Sequence, residues 1–135
     1  MGEINAERVK MTDNGEQMSA SITPDSAPGE MTAALVYATC PTPELAAAIG
    51  RSLIEARLAA CVNILPGMTS IYRWQGAIET ANETVLIAKT TSAQASKVVG
   101  HIVSQHPYDV PAVVVLPVVG GAAAYLGWIG SETAG

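Results

Sequence analysis

SQHPYDVPAVVVLPV, residues 104–118, passes from a polar segment holding a histidine into an unbroken apolar run with a proline on each side. That run is either part of a membrane span or a short buried strand, and the choice decides the fold. From Val110 to Ser131 no residue is charged, 22 positions in all, close to the roughly 20 that a spanning helix needs. The interior argues against a span. Pro111 and Pro117 flank AVVVL, and Gly120 and Gly121 interrupt the apolar residues beyond it, whereas a proline inside a helix costs about 3 kcal/mol. The stretch therefore reads as strand, turn and short helix, with no membrane partner. Upstream, Pro107 enforces a helix stop at His106, because a residue before proline disfavours helical angles.

Working outward, the same alternation of elements repeats. AALVYAT (33–39) is an apolar run of strand length. Thr42 suits an N-cap, with Pro43 in the first helical position and Glu44 placed well for the helix dipole. Leu45, Ile49, Leu53, Ala56 and Ala60 then recur at three- and four-residue spacing, predicting a helix over 43–60. CVNIL and TSIYRW read as one long strand bent at Pro66 and Gly67. Gln75 and Gly76 make a turn, and AIETANETVLIAKT returns as the second arm of a hairpin. Ser92 is expected to cap a second helix whose apolar face is Ala95, Val98, Val99, Ile102 and Val103. AVVVLPV is the last strand, and AAAYLGWIG a short terminal helix.

The order strand, helix, strand, strand, helix, strand, plus a terminal helix, is the split βαβ arrangement: an α+β, ferredoxin-like βαββαβ fold with an extended hairpin and a C-terminal helix. Helices cover one face of such a sheet. The strands are too apolar for the other face to meet water, so symmetric self-association is expected to cover it.

Of the 135 residues, 49% are hydrophobic, and there is no Phe. One domain with an aliphatic core is the expectation. Residues 1–30 hold six acids against Arg8 and Lys10, most of the net charge of −5. This segment lacks apolar periodicity and is expected to be a disordered acidic tail, with the folded domain over 31–135. No basic stripe points to nucleic acid. Cys40 and Cys61 fall at opposite ends of a helix of about 18 residues, roughly 27 Å long, so they should not pair. Two free cysteines without a secretory signal favour a reducing, cytoplasmic setting.

LVYATCPTPELA, LAACVNILPGMTSIYRWQG, ETVLIAKTT and SQHPYDVPAVVVLPV, in this order and spacing over about 33–131, resemble the CutA family of divalent-cation tolerance proteins. The resemblance implies a homotrimer in which the hairpin strands extend neighbouring sheets. It also implies a link to copper (Cu2+) or another divalent cation, and a tolerance or response role without catalysis. In bacterial members the proposed metal site uses a cysteine near the end of the first strand and a histidine pair before Pro-Tyr. Here those places hold Ala38 and Gln105, so only His106 carries over, with Cys40 as a substitute ligand. His106 is also readable as a cation at a helix C-terminus.

His101 is expected to face solvent, and both cysteines to be buried as small apolar groups. Tyr72 and Trp74 share a strand face, suited to subunit packing or to a ligand platform. By the same resemblance Trp74, Lys89 and Tyr108, with Glu79 or Glu83, border a cleft between subunits where a small anion or metabolite binds. The alternative function is then a trimeric signalling or sensor protein. No Ser-His-Asp order, H-E-x-x-H or glycine-rich phosphate loop is present. General acid-base chemistry near that cleft is conceivable through His106, Lys89, Tyr108 and Asp109, but nothing beyond proximity aligns them.

Overall fold

The structure is a computed structural model that describes residues 32–133. The tail expected over 1–30 lies outside them. Strand β1 (Ala33–Cys40) buries Ala34, Val36, Ala38 and Cys40 on one face. Thr42 then accepts a hydrogen bond from the Leu45 N–H at 3.1 Å and starts α1 (Pro43–Glu55). The helix stops short of residue 60, where the apolar spacing alone would end it. Arg57 takes a left-handed φ of 59°. The Leu58 N–H reaches back to the Leu53 carbonyl, and the Arg57 N–H to Ile54, each at 3.0 Å. This Schellman closure normally uses glycine.

Strands β2 (Cys61–Trp74) and β3 (Ala77–Thr91) form the hairpin. Its turn residues Gln75 and Gly76 have φ of 51° and 83°, both positive as a two-residue type I′ turn requires. The register shifts between Leu65 and Met68, where Gly67 has φ 81°; the bend expected at Pro66-Gly67 is a bulge. Helix α2 (Ala95–Gln105) begins at Gln94 without a side-chain cap. Ser92, expected in that role, instead pairs its hydroxyl with that of Thr32. Strand β4 (Val113–Pro117) and helix α3 (Ala123–Glu132) complete the chain. The sheet order is β2-β3-β1-β4, antiparallel throughout, so the fold is ferredoxin-like and AVVVL lies at an edge.

Helices α1 and α2 cover one face, packing Ile49, Leu53, Val98 and Ile102 against Val36, Leu86 and Ala88. Each large side chain buried this way contributes about 1.5–3 kcal/mol. Gly50 lets α1 approach closely, since a Cβ there would lie 3.0 Å from Val62 Cγ1. Both cysteines are free and buried.

The second face is treated differently along its length. Helix α3 crosses one end, where Ile129 packs on Ala33 and Ala60 beside Tyr125 and Leu126. The chain thus covers part of this face itself. The remainder is open: Leu65, Val114 and Leu116 are about half exposed, as are Tyr72 and Trp74. Beyond Met68 the hairpin projects from the body, leaving Ile71 and Ile78 71% and 69% exposed. No described helix is long and apolar enough to cross a membrane.

Candidate functional site

Strand register decides which side chains meet. On β3 the odd-numbered Glu83, Val85, Ile87 and Lys89 share the open face with Leu35, Tyr37 and Thr39 of β1. Past the bulge, Met68, Tyr72 and Trp74 of β2 pair with Glu83, Glu79 and Ala77, which brings both rings to that face. The segment after α2 then arrives over the ends of β1 and β3. Together these pieces enclose an open groove of about 750 Å³. Tyr37 and Thr39 come from β1, Tyr72, Trp74 and Glu83 from the hairpin, and Pro107 to Val110 with Ala112 from the α2–β4 connection.

Glu83 is only 8% exposed. Its one hydrogen bond among the described residues comes from the Tyr108 hydroxyl at 3.4 Å, a long contact. Burial first, then the charge of Glu83 and the bond to it, push the Tyr108 hydroxyl above its ordinary 10.0. Tyr108 therefore keeps its proton and acts as a donor. Of the two acids that the resemblance allows beside the cleft, Glu83 is the one in the groove, and Glu79 is exposed on the projecting arm. Residue counting separates them. Both fall on the open face, but Glu79 lies four residues, about 13 Å, further toward the hairpin tip.

His106 is buried beside the groove. Its Nε2 lies 2.7 Å from the Thr39 carbonyl oxygen, and carbonyls only accept, so Nε2 carries the hydrogen. Its Nδ1 accepts from the Tyr108 N–H at 3.2 Å. The ring is thus the neutral Nε2–H tautomer with both nitrogens engaged. It stacks obliquely on Tyr108 with centroids 4.7 Å apart and fixes the segment that walls the groove. This corrects the reading of His106 as a helix-end cation.

Cys40, the other metal candidate, belongs to the helix-covered face and is fully buried. Burial, and then Glu83, push its thiol above the ordinary 9.0, the opposite of what a metal-binding thiolate needs. Among the described residues no group of three or more His, Cys, Asp or Glu side chains could hold a metal ion. A copper or other divalent-cation site built on Cys40 and His106 does not fit this donor set.

Trp74 and Tyr108 line this groove of the single subunit, and Lys89 does not join them. It lies six positions from Glu83 on β3, roughly 20 Å along the strand. There it donates to the Tyr125 hydroxyl at 3.0 Å and sits 5.2 Å from that ring's centroid. His101, expected in solvent, is half-buried between helices, with Nε2 2.7 Å from both the Ser52 hydroxyl and the Gln105 amide nitrogen.

Residues 34–132 match the family described as the CutA1 divalent ion tolerance protein. The chain belongs to this family. CutA relatives include the divalent-cation tolerance protein CutA of Thermus thermophilus, 46% identical over 73% of this chain and 96% of its own. The chloroplastic protein CutA of Arabidopsis thaliana is 35% identical over 89% of this chain, which spans 66% of that protein. The crystal structure of CutA from Xylella fastidiosa superposes with a TM-score of 0.74 at 40% identity, covering 76% of this chain and 99% of that one.

Proposed function

We propose that the chain acts as a homotrimer in divalent-cation tolerance, without catalysis and in the cytoplasm. The observation that carries the trimer is the projecting hairpin: Ile71, Ile78, Tyr72 and Trp74 are exposed on an arm about 23 Å long, and the edge strand β4 leaves Val114 and Leu116 open. Uncovered apolar surface and unpaired edges of this extent call for a partner, and a second and third copy supply both. Sedimentation velocity at micromolar concentration should give a particle of about three chain masses, against 13.9 kDa for one chain. A persistent single-chain particle would sink the proposal.

The family description supports a divalent ion as the stimulus for the protein, and copper is the one that the sequence resemblance suggests, but the engaged ring nitrogens of His106 and the protonated Cys40 thiol support no contact through that pair. Calorimetric titration with CuCl2 should therefore give the same heat for the unaltered chain and for His106→Ala. Loss of copper binding in a folded His106→Ala would restore the pair as a site.

The groove favours a second reading, a trimeric signalling or sensor protein that holds a small metabolite there. Its hairpin wall projects beyond the subunit body, so a neighbouring copy would border the groove and ligand binding would be felt across the assembly.

A further inference from the structure

We infer that the groove binds a small organic ammonium ion, held by the carboxylate of Glu83 on its floor and faced by the rings of Tyr72, Trp74 and Tyr108. This rests on the second reading, that a small molecule occupies the groove, and names its chemical class. Glu83 as a residue is 8% exposed, and a carboxylate drawn partly out of water gains from pairing and hydrogen bonds. Glu83 has about four acceptor positions, and the described residues supply one long bond, from Tyr108. An ammonium N–H placed in the groove would donate to the remaining positions.

The surroundings select the sign and kind of ligand. Among the described residues the groove is lined by two carboxylates, Glu83 and Asp109, and by no lysine or arginine, which opposes the small anion expected from the sequence. The negative charge of Glu83 is felt by its neighbours, since it helps raise both the Cys40 thiol and the Tyr108 hydroxyl after burial has done most. A bare divalent cation needs more oxygen or nitrogen ligands than converge here. Aromatic rings contribute instead through their faces, which attract organic cations.

Isothermal titration of the full chain with phenethylammonium, phenylacetate and ZnCl2 tests the assignment. The expected result is saturable binding of phenethylammonium in roughly the millimolar range. Affinity should fall about tenfold or more in Glu83→Gln and about threefold in Trp74→Ala. Trp74 lies half-exposed on the arm assigned to the trimer contact, so its variant is scored on protein that still sediments as the unaltered chain does. Unchanged affinity in Glu83→Gln overturns the inference. Phenylacetate binding at least as tightly, and lost in Trp74→Ala, would keep the groove as a small-molecule site while overturning the cationic class. Zinc binding tighter than the ammonium and abolished in Glu83→Gln would reassign the site to a metal. No saturable heat from either organic probe up to about 10 mM would overturn this inference and the second reading together.

Discussion

Lys89 and Glu83 stand on the same face of the same strand, one at each end, and the chain treats them differently. At the Lys89 end helix α3 folds back over the sheet, and the ammonium finds the Tyr125 hydroxyl at 3.0 Å with the ring beside it. At the Glu83 end the described chain offers the carboxylate a single side-chain hydrogen bond, from Tyr108 at 3.4 Å. Both groups are drawn out of water and need compensation for it. One finds it within the subunit, and the other is left for something the subunit does not contain. On the reading proposed above, the Glu83 end binds and the Lys89 end braces the fold.

The comparison breaks most severely if the covered face beneath both ends is disturbed. Leu86, fully buried between them on the helix side, should cost about 2–5 kcal/mol when replaced by alanine, read by urea unfolding; a loss below about 1 kcal/mol would mean that the helix layer does not brace the strand. Next, Tyr125→Phe should cost about 1–2 kcal/mol by removing a hydrogen bond to a charged group. Tyr108→Phe, removing the longer bond, should cost under about 0.5 kcal/mol. Equal losses in the two variants would erase the contrast.

The smallest effect is a slope with pH. The Cys40 thiol is raised by burial and then by Glu83, as is the Tyr108 hydroxyl, so the unfolded chain gives up these protons first. The stability they contribute is complete below about pH 9 and is lost as pH climbs through the folded-state values. Urea midpoints should therefore decline from about pH 9 to pH 11, and more shallowly in Glu83→Gln, where one cause of both shifts is gone. An identical slope in the variant would show that burial alone sets them.

Much of this is legible in the residues because local chemistry and tertiary packing agree there. Thr42-Pro43, Gln75-Gly76 and His106-Pro107 mark boundaries that the backbone keeps, and the Pro66-Gly67 bend is where the register slips. The misses share a physical origin. Arg57 closes α1 in a conformation that its type does not advertise, and Ser92 spends its hydroxyl on Thr32, distant in sequence. His101 meets Ser52 only because two helices pack side by side. Lys89, which the resemblance sets beside a cleft between subunits, lies outside this subunit's groove, and counting along β3 already separates it from Glu83. The docking of α3 on the open face has no periodic signal, since that helix is apolar nearly all round.

The surplus residue at Pro66-Gly67 sets the aim of the hairpin arm more than its chemistry. Losing Gly67 would restore regular pairing with Met68 still opposite Glu83 and Trp74 still opposite Ala77, so no ring would change sides. The kink and added twist that a bulge brings would go instead. On a lever of about 23 Å, a swing of roughly 10° at the fulcrum moves the tip by about 4 Å. That is enough to carry it off a neighbour's surface while the subunit itself stays folded, a separation that sedimentation and urea unfolding of the same deletion would read independently.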